Sequence, residues 1–199
     1  MLRSQAGRAT SLPLLTAVLL LGGCARSPFA WHGTGYVDPP EAANLPDPLR
    51  GGDSSVQFAG NISLVYFGYT QCPDFCPATL GSVASLLEQL GAEAEDVRFY
   101  FVTVDPERDK PEVLAGYLSA FDPRFIGIRP EPESLPALLA AYGATAFVEP
   151  AHADADDDVI AHTSRLFLVD QDGKLRAHYP FDTPVADLLA DVRQLLGQG

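Results

Sequence analysis

Three cysteines occur in the 199 residues, and two of them sit close together in Gly68-Tyr69-Thr70-Gln71-Cys72-Pro73-Asp74-Phe75-Cys76-Pro77. Such a dithiol pair can cycle as a disulfide, hold a soft metal ion or staple the fold. Its surroundings narrow the choice. The pair follows an apolar run, Ile62-Ser63-Leu64-Val65-Tyr66-Phe67, and precedes Leu80, Val83, Leu86, Leu87 and Leu90 at helical spacing. Between a strand end and a helix start, unpaired amides and the helix dipole stabilise a thiolate, the form that attacks disulfides and binds metals. Pro73 and Pro77 stiffen the loop, and Pro77 suits a first helical position. Cys72 and Cys76 enclose three residues, where thioredoxin-type oxidoreductases enclose two, and the wider loop leaves room for an ion between two sulfurs. A disulfide that closed so short a loop would add little stability, so a purely structural role ranks last.

Two sulfurs need a third ligand, and histidine is the usual one. Of the four histidines, His32 lies in a proline-containing lead-in and His152 at the start of an acidic loop, and both read as solvated. His178 alternates with apolar residues and reads as structural. His162 falls where the chain leaves the acidic loop to enter a strand, and spacing alone puts it only modestly ahead of His152.

The elements that would carry these side chains alternate along the chain. Ile62–Phe67 reads as a buried strand, Thr79–Leu90 as a helix, Val97–Val104 as a strand, and Pro111–Phe121 and Ser134–Tyr142 as helices. Ser164–Val169 and Leu175–Tyr179 read as a hairpin across the turn Asp170-Gln171-Asp172-Gly173. Thr183-Pro184 opens a last helix as a cap followed by proline. Strand, helix, strand, helix, hairpin and closing helix is the order of a thioredoxin-like domain. The expected class is α/β, a single domain with a central mixed sheet flanked by helices and the cysteine pair after its first core strand.

The N-terminus reads as a targeting segment over residues 1–23. Arg3 and Arg8 give a positive start, and Leu12 to Leu21 is apolar but too short to span a membrane. It ends in Leu21-Gly22-Gly23-Cys24, which resembles a bacterial lipoprotein box, so Cys24 is expected to be lipidated. That would tether the domain to a membrane surface in an extracytoplasmic compartment where disulfides persist. Residues 24–50, with five prolines between Ala25 and Pro48, read as a spacer, and 51–199 as the domain. Loss of Arg3 and Arg8 with the leader takes the net charge from −13 to −15, which disfavours nucleic acid as a partner. The run Asp154-Ala155-Asp156-Asp157-Asp158 reads as a solvated loop.

Three blocks together resemble the Sco/SenC family of copper chaperones. They are Phe67-Gly68-Tyr69-Thr70 with Cys72-Pro73 and Cys76-Pro77, then Val104-Asp105-Pro106-Glu107-Arg108-Asp109, then His162 with Phe167-Leu168-Val169-Asp170 and Gly173. The resemblance runs over roughly residues 55–197. It implies a membrane-anchored thioredoxin-like domain that binds copper through Cys72, Cys76 and His162 and serves assembly of the dinuclear copper centre of cytochrome c oxidase subunit II. Two thiolates and an imidazole suit Cu(I), and the same donors hold Cu(II) with an added oxygen, although zinc accepts such a set too. Asp105, at the end of a strand beside the cysteine loop, is a candidate to support the ligands from behind, or else simply part of a strand-ending turn. The alternative function is a thiol–disulfide reductase that keeps the subunit's copper-ligand cysteines reduced, using Cys72 and Cys76 without His162. A peroxiredoxin-like peroxidase fits less well, for want of another thiol in the domain. The donor that would load the copper is not legible in the chain.

Overall fold

The computed structural model describes residues 30–46, 56, 58–149 and 159–197. At its centre lies β2 (Ile62–Gly68), seven residues buried throughout, as a strand covered on both faces requires. It pairs in parallel with β3 (Val97–Thr103), Tyr66 opposite Phe101, and antiparallel with β7 (Leu166–Val169). The return strand β8 (Leu175–Tyr179) pairs with β7 across a turn in which Gly173 takes a left-handed φ of 79°. With β4 (Ile126–Ile128) on the far side of β3 and β1 (Thr34–Gly35) beyond β8, the sheet order is β1-β8-β7-β2-β3-β4. The mixed sheet and its helices are those expected of a thioredoxin-like domain.

Helix α1 (Phe75–Leu90) carries the connection from β2 to β3 and buries Leu80, Val83, Leu86, Leu87 and Leu90. Each such fully buried side chain contributes roughly 1.5–3 kcal/mol. The closing helix α4 (Val185–Leu196) packs against α1. Helix α2 (Pro111–Ser119) lies against β4, and α3 (Leu135–Ala141) follows. Because side chains alternate along a strand, Tyr66 and Gly68 face Cys76 and the Phe101 ring, whereas Phe67 meets Phe167 and Tyr142.

Several boundaries differ from the sequence reading. Helix α1 starts at Phe75 rather than Thr79, which places Cys76 inside its first turn and Pro77 at its third position. Pro77 is still tolerated there because first-turn amides have no partner within the helix. Pro184 is the cap of α4 rather than its first residue, and the Thr183 hydroxyl turns back to the Pro180 carbonyl. A two-stranded sheet of β5 (Ala146–Glu149) and β6 (Val159–His162) was not anticipated, nor were β1 and β4. All four are too short to show a period.

The larger correction concerns the lead-in. Residues 30–46, within the expected spacer, pack onto the domain: β1 pairs with β8, Leu175 N–H donates to the Pro40 carbonyl at 2.8 Å, and Leu45 is fully buried. These ties are largely backbone hydrogen bonds, which leave no compositional trace. His32, read as solvated, sits on the buried carboxylate of Asp191 at 2.7 Å. His178 packs edge-on against Tyr36, as a structural histidine should. Cys24, His152 and the acidic run lie outside the described residues.

Candidate metal centre

Cys72 lies in the loop after β2, Cys76 in the first turn of α1 and His162 at the end of β6. The fold brings these three together: their Sγ, Sγ and imidazole nitrogen atoms all lie within 4.8 Å of one another. Among the described residues this is the one cluster that offers a metal three such donors. Both cysteines are free thiols. Nε2 of His162 is 3.5 Å from the Cys76 sulfur. Nδ1 of the same ring lies 3.2 Å from the Thr163 carbonyl, which can only accept, so Nδ1–H donates there and Nε2 is turned toward the sulfurs. The rings of Tyr66 and Tyr69 stand edge-on to the imidazole at 6.1 and 5.7 Å. A groove lined by Tyr69, Cys72, Pro73, Phe75, Ile160 and His162 opens onto the site.

The SCO1/SenC family model matches residues 52–197, 146 positions that take in the whole site. The chain belongs to the SCO1/SenC family. An SCO2-like protein of Rickettsia conorii is 33% identical over 142 residues, which cover 70% of this chain and 68% of that one. Copper-bound ScoI of Bradyrhizobium japonicum superposes with a TM-score of 0.66 at 30% identity, over 82% of this chain and 98% of that one. BsSco, a member of the Sco family of cytochrome c oxidase assembly proteins in which a disulfide switch has been identified, superposes with a TM-score of 0.60 at 26% identity, over 79% and 94%.

In this Sco-family domain the two sulfurs are electrostatically unequal. The Cys72 thiol is pulled down to about 4, chiefly by a hydrogen bond from Cys76; His162 and the amides of Asp74 and Cys76 add to it, while burial opposes. Cys76 is pushed far above the usual thiol range by its bond to Cys72, by burial and by the Cys72 charge. One thiolate and one thiol therefore share a proton at neutral pH. This suits a pair whose last proton is released to solvent when a cation binds.

The carboxylate that holds the cysteine loop is Asp109. It is fully buried and accepts from the Thr70 amide at 3.1 Å and from the Thr70 and Thr103 hydroxyls, each at 2.5 Å. This pins the start of the loop to the end of β3. Asp105, which the sequence put forward, accepts instead from the Arg108 side chain, and Arg108 reaches on to Gln71 at 3.1 Å. Its influence on the loop is thus indirect. Gly68 is the other residue whose role the sequence did not disclose. A Cβ there would lie 2.7 Å from the Cys76 sulfur and 2.9 Å from the Phe101 ring, so only glycine lets that sulfur close onto β2.

Proposed function

We propose that the domain is a copper metallochaperone: it binds one copper ion through Cys72, Cys76 and His162 and delivers it to the dinuclear centre of cytochrome c oxidase subunit II. The convergence of two sulfurs and one imidazole within 4.8 Å carries this reading. The set is soft and three-coordinate, with Nε2 of His162 already turned inward, as Cu(I) prefers. Support comes also from the copper-bound ScoI fold and from the assembly family to which BsSco belongs. The cargo leaves by ligand exchange through the groove beside Cys72. In this proposal lipidated Cys24 holds the domain on a bacterial membrane in an extracytoplasmic compartment.

The deciding measurement is copper per monomer in the purified domain, reduced and anaerobic. One equivalent is expected in the native protein and none bound tightly after Cys72→Ser or Cys76→Ser. Stoichiometric copper in the double serine variant would overturn the assignment. Mass spectrometry of the mature N-terminus tests the anchor, which requires a diacylglycerol-modified Cys24.

The second reading, a thiol–disulfide reductase for the subunit's cysteines, is favoured by one observation: the Cys72 thiol already ionises near 4, as a nucleophilic redox cysteine does.

A further inference from the structure

Tyr66 is fully buried on the central strand, and its hydroxyl is spent on the site rather than on the fold. The Oη–H donates to the Cys76 sulfur at 3.9 Å, and the ring packs edge-on against His162. Thr79, one turn beyond Cys76 on α1, acts on the same phenol and works against the upward shift that burial imposes on it. Gly68, two residues along the same strand face, removes the Cβ that would keep the sulfur away. A buried phenol in contact with two of three ligands is costly to place unless its proton has work to do.

We propose that Tyr66 is a positioning residue whose O–H donates to the Cys76 sulfur and thereby sets the redox balance of the site. A donor aimed at the Cys76 sulfur withdraws electron density from it, as thiol in the reduced pair and as thiolate once a metal binds. That stabilises the reduced dithiol over the disulfide, whose sulfurs are poor acceptors, and stabilises Cu(I) over Cu(II) by making the sulfur a weaker donor. The copper part of this inference rests on the chaperone reading; the dithiol part does not.

The test is Tyr66→Phe, which keeps the ring and removes one oxygen. In copper-free protein equilibrated with glutathione, Cys72 thiolate and Cys76 thiol pass two electrons and one proton to glutathione disulfide. The glutathione S–S bond breaks to one thiol and one thiolate as the Cys72–Cys76 bond forms. Losing one neutral hydrogen bond to sulfur should lower the reduced-to-oxidised ratio about two- to tenfold at fixed glutathione, with the melting temperature of the oxidised form little changed. In the copper(II)-loaded protein the sulfur-to-copper charge-transfer band should move to longer wavelength, because a sulfur without its donor is easier to oxidise. Thr79→Val, which keeps the branched shape on α1, should shift both readouts the same way by less, and it decides the matter if Tyr66→Phe does not fold. An unchanged glutathione equilibrium and an unmoved band in a folded variant would overturn the proposal. If the native protein fails to bind copper while Tyr66→Phe shifts the dithiol equilibrium, the chaperone reading falls and Tyr66 keeps its role.

Discussion

Nε2 of His162 lies 3.5 Å from the Sγ of Cys76, although 86 positions separate the two residues in the chain. The contact depends on β6, which pairs with β5 and lies outside the main sheet. The cysteines belong to the junction of β2 and α1 and the imidazole to a separate two-stranded sheet. The site is therefore assembled across two structural units, and perturbations of each should have separable effects.

The Cys72 thiolate should be visible in its reactivity. An ordinary thiol slows about tenfold per pH unit below its pKa toward an alkylating reagent. Cys72, with its thiol near 4, should react with iodoacetamide in reduced, copper-free protein at nearly the same rate at pH 5.5 as at pH 7. Cys76→Ala removes the largest cause of the shift and should move the rate back toward the ordinary steep pH dependence. The folded value is depressed, so this thiolate stabilises the reduced domain above the ordinary thiol pKa and the contribution is lost as pH falls toward 4. The disulfide form should lack that slope. Mass mapping of the alkylated cysteine checks the prediction.

Gly68→Ala should damage the site more than the fold. The new Cβ meets the Cys76 sulfur at 2.7 Å and the Phe101 ring at 2.9 Å, and overpacking of this kind costs about 1–3 kcal/mol. The flexible partner in that clash is the sulfur. Copper binding should therefore fall while the protein still melts cooperatively at a modestly lower temperature. Full copper occupancy at native affinity in Gly68→Ala would show that the close approach of Cys76 to β2 is dispensable.

The His32–Asp191 pair gives the lead-in a pH-dependent hold. Asp191 is fully buried on α4 and accepts from His32 and from the Tyr179 hydroxyl at 2.8 Å. Its hydrogen bond, then its charge, raise His32 above the usual 6.5, with Asp187 adding and burial opposing. A raised histidine stabilises fully below its ordinary value, and the contribution is lost as pH rises through the raised one. Limited proteolysis within residues 30–46 should therefore be slowest near pH 6 and faster above pH 8. His32→Ala should be cut faster at pH 6 and lose the pH dependence. Equal cleavage of both proteins at both pH values would remove the pair's role.

What was legible in the sequence follows from the range of the signals. Helix α1 announced itself through five leucines and valines on one face, and β2 through an uninterrupted apolar run. Cys72 lies on the loop after β2 as expected, whereas Cys76, expected on the same loop, lies inside α1, because Phe75-Cys76-Pro77-Ala78 has no periodic pattern to reveal the helix start. His162 could not be singled out by spacing, because the hairpin that delivers it is four residues a side; the family resemblance picked it out. The same limit explains the carboxylates. Asp105 and Asp109 sit in one motif with nothing local to distinguish them, and only the folded loop shows that Asp109 takes the Thr70 and Thr103 hydroxyls while Asp105 turns to Arg108.

His162→Ala separates the two functional readings. The imidazole supplies the third donor, so its loss leaves two sulfurs and should cost the domain most of its copper affinity. The Cys72–Cys76 disulfide needs only its two sulfurs and should still form and be reduced, although the Cys72 thiol should ionise less readily because His162 helps to lower it. Copper titration of the reduced variant, its equilibrium with glutathione and oxidase assembly in cells carrying it together give the answer. The chaperone reading expects weak copper binding, retained dithiol cycling and failed assembly. Assembly that survives His162→Ala but not Cys72→Ser or Cys76→Ser would mean that the partner needs electrons from this site rather than copper, and the reductase reading would stand in its place.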